Sequence, residues 1–151
     1  MTKIREAVET DSTAIFNCIY GLAEHVNQTE MVTATEQALK DSIFSADSHV
    51  NVFVAENEDG KICGFALMFK TFSTFKATSN YFLEDLFVFP EYRGMGIGKQ
   101  LFDYITHYAR TRGANKVEWY VNNANHTAID FYKKIGANVL DYKSIYYLNC
   151  K

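Results

Sequence analysis

A single α/β domain, with a mixed sheet and helices on its faces, is predicted by three features of this sequence. The chain has 151 residues, a length at which one core forms and buries roughly 68–70% of the unfolded surface. Two strand-like runs joined by a turn come early and a strand-helix-strand-helix-strand series follows, the order of a layered α/β sheet. Apolar residues make up 48% of the chain and proline occurs once, as in a compact globule. No internal repeat, low-complexity tract or linker divides it.

The elements follow in order. Lys3 to Val8 reads as a first strand, and Thr10 or Asp11 is placed to cap a helix running to about Glu24 with Ile15, Ile19 and Leu22 on one face. Thr33-Ala34-Thr35-Glu36 has capping-box spacing and opens a second helix to about Phe44. Asn51 to Glu56 and Ile62 to Phe72 are rich in valine, isoleucine and phenylalanine, and Asn57-Glu58-Asp59-Gly60 between them is a hairpin turn. Ser73 to Asn80 is polar and reads as a loop. Tyr81 to Phe89 is a strand that stops at Pro90, since proline cannot donate to a ladder. Ile97, Leu101, Phe102, Ile105, Tyr108 and Ala109 form an apolar helical stripe that ends near Arg112-Gly113. Lys116 to Val121 is a further strand, Thr127 to Ile135 a short helix closed by Gly136, and Ser144 to Leu148 a last strand.

Composition excludes several classes of partner. The first residues, MTKIREAVETD, carry charges where a signal peptide has its apolar core, and no run of about 18 uncharged apolar residues points to a membrane; the expected location is the cytoplasm. Cys18, Cys63 and Cys150 are an odd number without CxxC or Cys/His spacing, which fits a reducing compartment and gives neither a disulfide framework nor a zinc site. His25, His49 and His107 show no ligand spacing either, so no metal is expected. A net charge of −3 offers no broad attraction for nucleic acid and accommodates a cationic substrate more easily.

The stretch EYRGMGIGKQLF, residues 91–102, sets three glycines before an amphipathic helix. Glycines let backbone N–H groups close on a ligand, and the first N–H groups of a helix lack internal partners, so the arrangement suits an anion. Spacing excludes the two familiar phosphate loops: Arg93 occupies the first glycine position of a P-loop and Gln100 its hydroxyl position, while Gly94, Gly96 and Gly98 form GxGxG and not the dinucleotide series GxGxxG. A tight strand-to-helix turn remains the alternative. Glu84 and Asp85 lie on the strand that enters this loop. Alternation puts them on opposite sheet faces, one toward a cleft, unless both are a solvated strand end. From periodicity alone Tyr132 is a core aromatic with a hydrogen-bonded hydroxyl.

Arg93, Gly96 and Gly98 fill the fixed positions of Arg/Gln-x-x-Gly-x-Gly/Ala, the acetyl-CoA pyrophosphate loop of the GNAT family of N-acetyltransferases. The chain resembles that family over nearly its full length. Tyr81 to Val88 leading into Tyr92 to Gly98, and Asn125 followed by Ile129 to Ala137, are similar to the diamine (spermidine/spermine) branch and its bacterial relatives, as is Thr71 to Phe75.

The resemblance implies a mostly antiparallel sheet splayed at its central strands to admit acetyl-CoA. It assigns the pyrophosphate to Arg93, Gly94, Met95, Gly96, Ile97, Gly98 and Lys99, and the pantetheine arm and thioester carbonyl to backbone groups of Leu86, Phe87 and Val88. Asn125, His126, Thr127, Ala128 and Phe131 complete the cofactor side, and Tyr132 becomes the general acid for the departing thiolate. Glu84 holds the amine and relays its proton, with Asp85 either structural or an aid to a cationic tail. His25, Val26, Phe75, Glu118, Trp119 and Tyr120 are placed around the acceptor. Val26 and Ser73 stand where the polyamine enzymes carry acidic residues, and Phe75 where a tryptophan is usual, so a small primary amine is favoured over spermine. A direct transfer is favoured because no cysteine adjoins a histidine or a helix start. Acetylation of a protein amine, or acyl-CoA sensing without turnover, are the alternatives; a homodimer is the expected assembly.

Overall fold

The computed structural model describes residues 1–150. They form two compact units, Met1–Trp119 and the residues from Tyr120 onward. The first holds a five-stranded sheet in the order β1 (Lys3–Glu6), β2 (Val50–Glu56), β3 (Ile62–Ser73), β4 (Thr78–Val88) and β5 (Val117–Glu118). Neighbours from β1 to β4 are antiparallel and β5 runs parallel to β4. The helices of this unit are α1 (Ser12–His25), α2 (Glu36–Phe44) and α3 (Ile97–Thr111). The second unit contains α4 (His126–Lys134).

Alternation along β2 builds two cores. Val52 and Val54 join Phe65, Leu67 and Phe87 on one face, where Ile15 and Cys18 of α1 and Ile43 of α2 close over them. Phe53 points the other way and meets Tyr104 and Tyr108 of α3 at ring-centre distances of 5.3 and 4.9 Å. The stripe read from the sequence is the buried face of α3: Ile97, Leu101, Phe102, Ile105 and Ala109 are all buried. Thr78 and Asn80 hold the far end of α3 to β4. Thr78 Oγ1 donates to the Gly113 carbonyl at 3.1 Å, and Asn80 Oδ1 accepts from the Asn115 N–H at 3.0 Å.

Helix starts differ in detail from the expectation. Thr35, not Thr33, caps α2 by accepting from the Ala38 N–H at 3.1 Å, and Glu36 therefore stands at the first helical position and accepts from Thr13. Asp11 precedes α1 but does not cap it. Its carboxylate accepts from Arg5 at 2.7 and 3.0 Å and from the Val8 N–H at 2.8 Å, pinning β1 to the start of the helix. Burial opposes charge on Asp11, but these donors outweigh it and hold the carboxyl below its ordinary range.

Three strand assignments need correction. Ser73 to Asn80 is not a loop: β3 continues to Ser73 and β4 begins at Thr78, with only Thr74–Ala77 turning between them and Ala77 taking φ +50°. Threonine suits a two-stranded ribbon wet on both faces, so polarity did not mark a break there. Lys116 to Val121 shrinks to the two residues of β5. Ser144 to Leu148 forms no strand, and Tyr146, Tyr147 and Leu148 are more than four-fifths exposed; a strand exists only by pairing, and this segment pairs with none among the described residues.

Candidate active site

The site grows from one irregularity in β4. Leu67 pairs with Asp85 but its neighbour Met68 pairs with Leu83, so Glu84 is the extra residue of a β-bulge. The bulge interrupts the alternation expected for the two carboxylates. Glu84 is exposed, whereas Asp85 is half-buried opposite Leu67, on the face that carries Phe65 and Phe87. Burial, reinforced by the charge of Glu84, pushes the Asp85 carboxyl up to about 6.

Beyond the bulge β4 keeps one edge unpaired. β5 reaches only Tyr81 and Phe82, and no strand pairs with that edge from Leu83 to Val88 among the described residues. The Phe89 N–H donates to the Cys63 carbonyl at 3.0 Å, which fixes the phase of the ladder: Phe87 bonds toward β3, while Leu86 and Val88 turn their backbone groups to the open side. The Val88 carbonyl accepts from Arg93 Nε at 2.9 Å. Gly64 makes this seam close, since a Cβ there would lie 2.5 Å from the Phe87 carbonyl oxygen.

After β4, Pro90–Tyr92 makes a single 3₁₀ turn and the chain enters the glycine loop. Gly94 and Gly96 take φ of +77° and +78°, a left-handed backbone that costs an L-residue roughly 1–2 kcal/mol. A Cβ at either would meet nothing within 4 Å, so conformation and not crowding requires glycine, and the space before the loop is open. Gly96 is the N-cap of α3 and accepts the first helical bond from Gln100 at 3.0 Å. The N–H groups of Ile97, Gly98 and Lys99 therefore have no partner within the helix. Gly98 lies inside the first turn of α3 and not in the left-handed region, so only two of the three glycines supply the bend. Ile97 is buried and anchors the turn, Met95 is exposed, and Lys99 pairs with Asp103 at 2.5 Å. The fit for a diphosphate is a set of convergent N–H donors at the positive end of a fifteen-residue helix.

The residues expected around the acceptor sit on different elements. His25 ends α1, and Val26 follows, 43% exposed, its N–H bonded to the Leu22 carbonyl at 3.1 Å. Phe75 is fully exposed at the tip of the β3–β4 hairpin, walled by nothing of its own chain. Glu118 pairs with Lys116, and the Trp119 ring lies 5.0 Å from that of Phe102. Tyr120 is exposed and begins the second unit. In that unit Asn125 caps α4, its Oδ1 accepting from the Ala128 N–H at 3.2 Å, with His126 and Thr127 in the first turn. Phe131 and Tyr132 rings are 5.8 Å apart, and burial raises the Tyr132 phenol above its ordinary value. Gly136 closes the helix with φ +85°. Burial also pushes the Cys18 thiol up to about 12 and raises Cys63, which makes both poor nucleophiles. No group of three or more potential metal ligands occurs among the described residues, and no helix there is long and apolar enough to cross a membrane.

An edge of β4 left unpaired by any strand among the described residues thus runs through a left-handed glycine bend into the start of α3. The family model of the acetyltransferase (GNAT) family matches residues 14–137, and the chain belongs to that family; it is an acyltransferase. It is 34% identical to the thialysine N-epsilon-acetyltransferase of Bos taurus over 144 residues, covering 91% of this chain and 84% of that one. With the L-ornithine N5-acetyltransferase of Arabidopsis thaliana it shares 26% over 182 residues, with coverages of 91% and 80%. Among solved structures, an integron cassette protein from the mobile metagenome of V. cholerae superposes with a TM-score of 0.81 at 30% identity, over 98% of this chain and 92% of the other. An aminoglycoside acetyltransferase from a soil metagenome, crystallised with trehalose, gives 0.83 at 20% identity over 99% and 97%, a likeness of fold.

Two structural features were not singled out in the sequence, and only one of them carries a signal there. The bulge at Glu84 leaves no mark, because it is a matter of register with β3 that the residues of β4 alone do not specify. Gly64, a lone glycine in an apolar strand, does carry the usual sign of close backbone approach.

Proposed function

We propose that this enzyme moves an acetyl group from acetyl-CoA to the primary amine of a small molecule, in one complex holding both substrates. The observation that carries the proposal is the left-handed bend at Gly94 and Gly96 delivering the first turn of α3 beside the unpaired edge of β4. Arg93 to Lys99 take the diphosphate. Leu86 to Val88 receive the pantetheine arm as an added strand, and an N–H of that edge polarises the thioester carbonyl.

An alkylamine has an ordinary pKa of about 10.4 and must lose a proton before its nitrogen can attack. Glu84, exposed beside the open edge, takes that proton through water. The neutral nitrogen adds to the thioester carbonyl; as the adduct collapses the C–S bond breaks, the nitrogen gives its surplus proton to water, and the thiolate receives the phenolic proton of Tyr132, which solvent restores. What supports the Tyr132 role is the sequence motif together with a phenol kept protonated by burial. A positioned acid or base is worth about 10²–10⁴-fold. Asp85 adds a second carboxyl that attracts a cationic acceptor. Val26, Ser73 and Phe75 replace residues that draw polyamines, and the 34% identity to a thialysine enzyme favours the same choice, an amino-acid-like or short aminoalkyl acceptor. The acting form is a homodimer, by the same resemblance, and sedimentation giving a single 17.3 kDa species would contradict it.

The test is coenzyme A release over a panel of thialysine, lysine, ornithine, diamines and spermine. Turnover should be greatest on the short amino-acid-like amines, with Tyr132→Phe and Glu84→Gln each lowering kcat by about a hundredfold while leaving the KM for acetyl-CoA unchanged. Release with no amine on the panel would overturn the reading.

A further inference from the structure

Gly21 lies in the middle of α1, where glycine costs a helix roughly 1 kcal/mol relative to alanine. No turn or positive φ explains it. Its surroundings do: a Cβ at this position would stand 2.9 Å from both Cε1 and Cζ of Phe87 and 3.4 Å from Cε1 of Phe89. The Phe87 ring is thus seated directly on the bare backbone of α1. It is 4% exposed and meets the Phe89 ring edge-on, with centroids 5.2 Å apart. The Arg93 guanidinium carbon lies 5.5 Å from the centre of the same ring while Arg93 Nε holds the Val88 carbonyl.

We infer that Gly21 is a positioning residue for the coenzyme-binding loop: by letting the Phe87 ring sink onto α1, it sets the platform on which Arg93 rests, and so the placement of the bend that follows. The inference rests on the functional reading above, in which that bend grips the diphosphate. A methyl group at position 21 drives the ring away from α1. The ring is confined by Phe89, so the displacement is passed to Arg93 and through its bond to Val88, the residue whose backbone faces the open edge. The same helix ends four residues later at His25 and Val26, so the seat also ties the acceptor side of the fold to the donor side.

Calorimetric titration with coenzyme A, with thermal midpoints followed in parallel, tests this on the full chain. Gly21→Ala is expected to weaken coenzyme A binding about tenfold, the size of an overpacking cost, and to raise the KM for acetyl-CoA more than it lowers kcat. Phe87→Leu alone removes the platform under Arg93 and is expected to weaken binding a few-fold. In the double variant the added methyl occupies space the ring has vacated, so it should bind coenzyme A more tightly than Gly21→Ala. A helix merely tuned for stability would shift the midpoint and leave binding alone. Unchanged binding in Gly21→Ala overturns the inference, as does weakened binding that the double variant fails to recover. Should Gly21→Ala not fold, unchanged binding in Phe87→Leu overturns it equally. If the unaltered chain gives no heat with coenzyme A, the functional reading itself falls first.

Discussion

Asp85 and Glu84 show how a single inserted residue separates two carboxyls that the sequence presents as equals. The bulge leaves Glu84 in solvent and turns Asp85 inward, and burial raises the inward carboxyl to about 6. An acid whose folded value is raised binds its proton more readily in the folded state. Its contribution to stability is complete below about 4 and is lost as pH rises through about 6. Asp85→Asn removes that dependence. Urea midpoints of the two proteins are therefore expected to diverge between pH 5 and pH 8, the variant gaining by roughly 1–2 kcal/mol at the higher pH; parallel curves would refute the assignment. Gly96 allows a second test at this scale. Alanine there must hold φ near +78°, which costs roughly 1–2 kcal/mol, and calorimetry should show weaker coenzyme A binding, because the strained bend relaxes and its N–H groups lose their common aim.

At the scale of elements, the seam between β3 and β4 is set by Gly64. Gly64→Ala would press a methyl into the Phe87 carbonyl, which belongs to a strand that cannot move aside without breaking its ladder. The expected loss is about 2–3 kcal/mol, read as a lowered urea midpoint. The same scale shows what was legible in advance. The stripe of α3, the turn at Gly60 and the helix stops at Gly113 and Gly136 were readable because each depends on local periodicity or on a backbone angle only glycine takes easily. The two-residue length of β5 and the extended hairpin through Ser73 and Thr78 were not, since a strand's ends are decided by its partner. The bulge was invisible for the same reason: register is a property of two strands, and Leu83-Glu84-Asp85 carries only one of them. Of the site, the loop motif marked where the left-handed bend and the start of α3 lie in the chain. It did not show that Arg93 turns back to the Val88 carbonyl and the Phe87 ring.

For the molecule as a whole, the unpaired edge of β4 has a cost that appears only when no co-substrate is present. A row of unsatisfied amides along a sheet is the template on which other chains add strands. Natural proteins usually blunt such a margin with charge, proline or a covering segment; here Glu84, Asp85 and Pro90 flank it and Arg93 covers the Val88 carbonyl, which leaves the stretch at Leu86 the least protected. If the pantetheine arm covers that margin, coenzyme A also works as a solubiliser. Protein stripped of it should scatter more light on storage at high concentration than protein kept with a saturating amount, and the difference should vanish in a variant that has lost coenzyme A binding. On this view the cell's supply of acyl carrier governs how long the enzyme stays in solution as well as how fast it turns over.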